Sequence, residues 1–217
     1  VHRLRTARPR GTWFASGQAG NARPPGRWCW LAAVVRIPGD RVPLAMQAIP
    51  PGSPEVDLML SCLRVDAARP ADTPAAVAER IRQLLAAGID GRLLLEAAEW
   101  QRVTPLVWNV LSVVAPGELA GNGAAEFEAA VRDNALRNIY LTRRLLRLAL
   151  LFADHGLELL AYKGPALAVQ AYGQASLRQF SDLDILVRQY AVQPARALLL
   201  AEGCRQVWPA ASLTPSQ

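Results

Sequence analysis

The sequence predicts an α+β protein, with a helical N-terminal part followed by a small β-α-β-α-β sheet unit. Three observations lead to this fold class. Apolar residues recur at helical spacing from about residue 55 to residue 155. The stretch 157–208 instead carries short apolar runs bounded by glycines, which is typical of strands. The chain has 217 residues and is 52% hydrophobic, enough to bury one core or two small ones.

The helical part contains several predicted helices with local start and stop signals. Asp72 or Thr73 is placed to cap the second helix, with Pro74 in its first turn, and Asp90 is placed to cap the third. The expected helices cover residues 55–65, 75–87, 93–99, 104–111 and 124–155.

The last of these helices is long and amphipathic. We expect one apolar stripe to face the core, and we expect Arg143 and Arg144 to lie on the solvated face. The stripe consists of Phe127, Val131, Leu136, Ile139, Leu145, Leu148 and Phe152.

After Gly156 the pattern changes to alternating short strands and helices. Pro165 is suited to a first helical turn, and Gly173 and Gly203 are suited to helix ends. The expected strands are 157–162, 183–187 and 204–208, and the expected helices are 165–172 and 191–202.

The first 45 residues differ from the rest in composition. They carry eight arginines against the single acid Asp40, whereas residues 46–217 carry 16 basic and 17 acidic side chains. We interpret 1–45 as a basic, disordered and dispensable extension, either a transit peptide or the product of an upstream start, with Met46 as the natural start. The predicted division is therefore extension 1–45, helical region 46–155 and αβ core 156–217.

Composition and charge exclude several function classes. The net charge of +6 lies entirely in the extension, so the near-neutral body is not that of a general nucleic-acid-binding domain. Three separated cysteines do not form a disulfide scaffold. His2 and His155 are far from paired cysteines, which excludes a zinc site, and no G-x-S-x-G hydrolase motif is present. With no membrane-spanning run, we expect a cytoplasmic protein.

A pair of carboxylates stands at the head of the second predicted strand, in Ser181-Asp-Leu-Asp-Ile-Leu-Val187. Because strand side chains alternate, Asp182 and Asp184 project from the same face. At about 4–5 Å their repulsion is roughly 3–4 kcal/mol at an effective dielectric of 20, which favours a divalent cation such as Mg²⁺ between them. The alternative is that Asp182 is a turn or cap residue and Asp184 faces water on an edge strand.

A second unusual feature is Lys163-Gly164, at the turn between the first strand and its helix. Gly164 allows close approach to the backbone, and the helix start offers free amides to an anion. Lys163, the only lysine beside 23 arginines, could supply a point charge to a phosphate. Arg178 is a third candidate phosphate contact. Read separately, these residues also suit a simple turn and a surface arginine.

Taken in order, the segment Tyr162-Lys-Gly-Pro-Ala-Leu-Ala168, Arg178 and the Asp182–Asp184 pair resemble the nucleotidyltransferase family of bacteria within the DNA polymerase beta-like superfamily. The resemblance implies transfer of an NMP from an NTP to an acceptor that the sequence does not identify. It implies Asp182 and Asp184 as catalytic, Mg²⁺-binding residues. It also implies that Lys163, Gly164 and Arg178 bind the nucleotide phosphates.

The sequence departs from the family pattern in two ways. Lys163-Gly164-Pro165 stands where superfamily members commonly have Gly-Ser, and no third carboxylate is placed on a later strand. Glu202, the only later acid, is expected to face solvent near its helix end. We therefore expect a C-terminally incomplete unit with slow or no turnover, whose open sheet edge favours self-association. The alternatives are a non-catalytic nucleotide- or protein-binding module and a purely structural helical protein.

Overall fold

The computed structural model describes residues 28–33, through their backbone, together with 50, 52–119 and 123–204. Its architecture is α+β, as predicted, with helices preceding and flanking a small sheet. The strands are β1 (Trp28–Ala33), β2 (Leu159–Ala161) and β3 (Leu183–Arg188). The helices are α1 (Pro54–Leu63), α2 (Ala75–Ala86), α3 (Gly91–Trp100), α4 (Thr104–Val114), α5 (Ala124–Asp154), α6 (Gly164–Tyr172) and α7 (Val192–Ala201).

The predicted helix signals are mostly confirmed. The Asp90 carboxylate accepts hydrogen bonds from the amides of Arg92 and Leu93 and so caps α3. The second helix differs, because Pro74 itself stands at the N-cap and no side chain caps it there. Thr73 instead donates its hydroxyl to the Pro70 carbonyl at 2.6 Å. Among the described residues, no helix is both long and apolar enough to cross a membrane.

The sheet has the order β1-β3-β2, with both neighbours antiparallel to β3. The six residues of β1 pair with β3 from Trp28 opposite Arg188 to Ala33 opposite Leu183. The structure therefore differs from the expectation of an unpacked extension at these six residues. The other residues of 1–45, and residues 205–208 of the predicted strand 204–208, lie outside the described residues.

Two hydrophobic clusters form the interior. The first joins α1 to α4 and ends at Phe127 of α5, whose ring stacks on Trp108 with the centroids 5.7 Å apart. The second joins the C-terminal half of α5 to the sheet, α6 and α7 through residues such as Leu148, Phe180 and Ile185. Helix α5 thus spans both clusters and connects the helical region to the sheet.

The buried face of α5 differs from the predicted stripe. Leu136 and Ile139 are 61% and 58% exposed, whereas Asn134 and Asn138 are almost fully buried. The reason is spacing, because the buried side chains of α5 recur every three or four residues, and the two asparagines occupy that register between the two clusters. The described buried set is Phe127, Asn134, Asn138, Leu141, Leu145, Leu148 and Phe152.

The end of α7 is fixed to α5 by charge. Glu202 lies 3.4 Å from Arg144 and 3.0 Å from Arg147, and its side chain is only 18% exposed. The expectations that Glu202 faces solvent and that Arg144 lies on a solvated face are therefore wrong. The physical reason is that two guanidinium groups on adjacent turns of α5 together hold one carboxylate.

Candidate active site at the head of strand β3

The antiparallel pairing of β2 with β3 brings the Lys163-Gly164 turn beside the two aspartates. Ala161 stands opposite Ile185, and the Tyr162 amide donates to the Asp184 carbonyl at 3.0 Å. This hydrogen bond extends the pairing of β2 with β3 by one residue beyond Ala161, and it places Lys163 beside Asp184. Their side chains form an ion pair with Nζ 3.5 Å from Oδ2.

The environment of Asp184 differs from the alternative of an exposed edge-strand carboxylate. Asp184 is 7% exposed and lies on the central strand of the sheet. Burial of a lone carboxylate is costly unless a cation or hydrogen-bond donors compensate for it. Lys163, whose side chain remains 44% exposed, supplies that positive charge and stays accessible to a ligand.

Gly164 allows the turn to lie against the start of β3. Its φ is +59°, and an added Cβ would lie 3.4 Å from the Asp182 carbonyl oxygen and 3.7 Å from Leu183 Cδ2. Both the left-handed conformation and the close approach therefore favour glycine. The close neighbour is the protein's own chain, so Gly164 here serves the packing of the turn on the strand that carries the aspartates.

The loop between α6 and β3 carries Arg178 and is held by two asparagines of α5. Asn138 Nδ2 donates to the carbonyls of Ala175 at 2.7 Å and Arg178 at 2.8 Å, and Asn134 Nδ2 donates to the Ser176 carbonyl at 2.9 Å. Sequence reasoning missed both asparagines because it selected apolar residues for the buried face. Their spacing is the signal that could have found them, because Asn134 lies seven residues after Phe127, Asn138 four residues later, and Leu141 three residues after that.

A cleft of about 260 Å³ lies between this loop and the turn that joins α3 to α4. We call it the seam cleft. Gln179 links its two sides, because its Oε1 accepts a hydrogen bond from the Thr104 amide at 3.2 Å. Residues from both sides line the cleft, including Gln101, Arg102, Leu106, Arg178, Phe180 and Asp182.

Arg178 combines a fixed backbone with a partly uncompensated guanidinium. Its Nη1 atom is buried and has no hydrogen-bond partner within the part of the chain that the structure describes. The guanidinium carbon lies 6.0 Å from the centre of the Phe180 ring, within cation-π range. A buried guanidinium nitrogen without an acceptor beside a cleft is suited to an anionic ligand.

The donor set for a metal consists of two carboxylates. Asp182 is half-buried, precedes β3 by one residue and lines the seam cleft, whereas Asp184 is buried and is the second residue of β3. Within the described residues, no three histidine, cysteine, aspartate or glutamate side chains cluster as a metal site. Two carboxylates fit Mg²⁺, which commonly takes one or two from the protein and completes its shell with water and substrate phosphates.

Thiol chemistry is not supported at Cys62. The residue is buried in the helical cluster, and burial raises the pKa of its thiol to about 12. Because the nucleophile is the thiolate, a thiol with this pKa is inert near neutral pH.

Comparison with known proteins shows the family to which the chain belongs. Residues 87–212 match the family described as uncharacterised nucleotidyltransferase, a region that includes α3 to α7 and every residue named around the aspartates. Comparisons with curated proteins and with solved structures give no match. Because the family match covers more than half of the 217 residues, the chain belongs to the uncharacterised nucleotidyltransferase family.

Proposed function

We propose that the protein transfers an NMP from an NTP to an acceptor oxygen, with release of pyrophosphate, at the head of β3. The observation that supports this most is the ion pair of Lys163 with Asp184 at the start of β3, two residues after Asp182, which lines a cleft together with Arg178. The family match supports the same reaction class.

In this proposal, each residue acts through its charge and position. Asp182 and Asp184 hold Mg²⁺, which when bound supplies Lewis-acid assistance and a template for the triphosphate. Arg178 offers charged donors to phosphate oxygens. Lys163, half exposed beside Asp184, offsets negative charge at the same place.

A non-catalytic nucleotide-binding module is the second candidate, and one observation favours it. Active relatives use a third carboxylate, and within the described residues no third acid joins the pair. Glu202 does not supply it, because Arg144 and Arg147 hold its carboxylate. We therefore expect nucleotide binding with slow or no turnover by this chain.

The two candidates differ in pyrophosphate release. The purified chain is incubated with labelled NTPs and Mg²⁺ or Mn²⁺, and pyrophosphate and labelled products are measured. Slow release that disappears in Asp184→Asn supports a slow transferase, whereas Mg²⁺-dependent binding without release supports the binding module. Robust turnover lost in Asp184→Asn would show that a third metal ligand exists outside the described residues.

A further inference from the structure

We infer that Arg102, on the turn between α3 and α4, is a phosphate-binding residue of the seam cleft. This inference rests on the proposed function, since the cleft also contains Asp182 and Arg178. Arg102 belongs to the helical region, so it would add a residue from that region to a site otherwise formed at the sheet. The ligand that it would bind is a phosphate group.

The first observation concerns the backbone. Helix α3 ends in a Schellman motif, in which the Arg102 amide donates to the Glu99 carbonyl at 3.0 Å and the Val103 amide donates to the Ala98 carbonyl at 2.8 Å. Arg102 holds the left-handed position of this motif, with φ 56°, where glycine is the usual residue.

An arginine at this position is disfavoured by its own Cβ. Among the described residues, Arg102 is the only one other than glycine with positive φ. Such conformations cluster at ligand-binding sites, where the side chain serves a purpose that glycine does not. Glycine would adopt this conformation at a lower cost, which makes a functional contribution of the side chain the simpler explanation.

The second observation concerns what the side chain faces. Arg102 is exposed and lines the same cleft as Arg178, whose buried Nη1 lacks a partner among the described residues. Two guanidinium groups from opposite sides of one cleft are suited to bracket a phosphate, because arginine presents several donors in a fixed fork.

The size of the cleft sets how much of a ligand it takes. Its volume of about 260 Å³ is below the roughly 300–1,000 Å³ of sites that enclose a whole small molecule. The cleft is therefore suited to hold only part of a ligand, such as the phosphate chain of a nucleotide or the phosphate of an acceptor, while the rest of the ligand extends beyond it.

The test uses Arg102→Gly, which removes the side chain and relieves the backbone. Because glycine suits the left-handed position, we expect the melting temperature to rise by about 2–4 °C. We expect affinity for Mg²⁺-ATP, measured by calorimetry, to fall about tenfold, as for loss of a charge-assisted hydrogen bond. Arg102→Asn, which tolerates the same backbone without the charge, should bind as weakly as Arg102→Gly.

The matched control is Arg92→Gln, which removes one positive charge from an arginine in the first turn of α3 whose side chain is 84% exposed. It should bind Mg²⁺-ATP as the parent does. If Arg102 serves the acceptor instead, Mg²⁺-ATP affinity stays unchanged in Arg102→Gly. Binding of inorganic phosphate to the chain saturated with a non-hydrolysable ATP analogue is then lost.

Two results would overturn the inference. Parental binding of both probes by Arg102→Gly, alongside loss of Mg²⁺-ATP binding in Asp184→Asn, refutes the role of Arg102 and leaves the proposed function standing. Failure of the parent chain to bind either Mg²⁺-ATP or inorganic phosphate refutes both.

Discussion

At the residue scale, the pairing of Lys163 with Asp184 gives the lysine two roles. It compensates a carboxylate that is 7% exposed, and it leaves nearly half of its own side chain accessible at the proposed phosphate site. The lysine thus stabilises the fold before any ligand binds. Under the proposed function, we expect its contribution to ligand binding to be smaller than that of the aspartates, whose charges would hold the metal.

Lys163→Ala tests whether the lysine contributes to both the stability of the fold and ligand binding. Loss of the partner leaves Asp184 buried without its cation, so we expect the free energy of unfolding to fall by about 1 kcal/mol, the upper end for partly exposed pairs. Affinity for Mg²⁺-ATP should fall less than in Asp184→Asn. Lys163→Arg, which keeps the charge, is the control for denaturant melts and calorimetry. A larger binding loss in Lys163→Ala than in Asp184→Asn would contradict the metal assignment.

A carboxyl outside the site provides a test of pH dependence. In α3, burial and the neighbouring Glu96 raise the pKa of Glu99, while Arg137 opposes the shift. When the pKa of a carboxyl is higher in the folded than in the unfolded state, the folded state favours the protonated form. The resulting contribution to stability is present at low pH and is lost as the pH rises through the folded pKa.

Glu99→Gln should therefore raise the free energy of unfolding slightly at pH 7, by about the few tenths of a kcal/mol usual for surface changes, with a small rise in melting temperature. The gain should vanish below about pH 4, where the carboxyl is protonated in both folded and unfolded chains. Melts of both proteins from pH 3 to pH 8 measure this. A gain that is independent of pH would show that charge is not the cause.

At the element scale, α5 determines where the site lies. It buries Phe127 in the helical cluster and Leu148 in the sheet cluster, and between them its two asparagines hold the loop that leads into β3. The helix thus fixes the backbone of Arg178 relative to both clusters.

Asn138→Ala tests this role. It removes the donor to two carbonyls, those of Ala175 and Arg178, so we expect a loss of about 1–3 kcal/mol in stability. In this variant, the amides of residues 175–182 should exchange with solvent faster than they do in the parent, whereas the amides of α1 should exchange as in the parent. Asn134→Ala, which frees only the Ser176 carbonyl, should cost less. Equal effects of the two variants would contradict the assignment of the main contact to Asn138.

Periodicity predicted the elements well because each uses local signals. The Asp90 cap, Gly173 after α6 and the apolar run of β3 are all visible in the sequence. The buried asparagines were missed because only apolar residues were selected for the buried face of α5, and the left-handed Arg102 was missed because glycine is the usual residue at that position. Leu136 was placed in the core because hydrophobicity alone does not say which side of a helix meets a partner.

At the scale of the whole molecule, the sheet depends on residues from both ends of the chain. β3 is central, and its two neighbours come from 28–33 and from 159–161. Ala32 stands opposite Asp184, so β1 covers the other side of the strand that carries the aspartates. The only sequence signal for this strand is the continuous apolar run of residues 28–35, which does not alternate and lies in an arginine-rich segment, so it was not recognised as a strand.

A chain that begins at Met46 lacks β1. We now expect it to lose at least about 1 kcal/mol of stability, or 2–4 °C in melting temperature, because one edge of β3 loses its hydrogen-bond partners. A chain that begins at residue 28 keeps β1 and is the control. Identical melts of the Met46 chain and the full chain would contradict the contribution of β1 and restore the prediction of a dispensable segment.

The most direct test of the central claim is calorimetric titration of the full chain with Mg²⁺-ATP, compared with the double variant Asp182→Asn, Asp184→Asn. We predict binding by the parent that requires the divalent ion. The variant should lose most of that affinity while melting near the parent's temperature, because amides keep the shape and the lost Lys163–Asp184 ion pair is offset by relief of the repulsion between the carboxylates. Binding of Mg²⁺-ATP by the double variant with parental affinity would contradict the assignment of this strand entry as the nucleotide site.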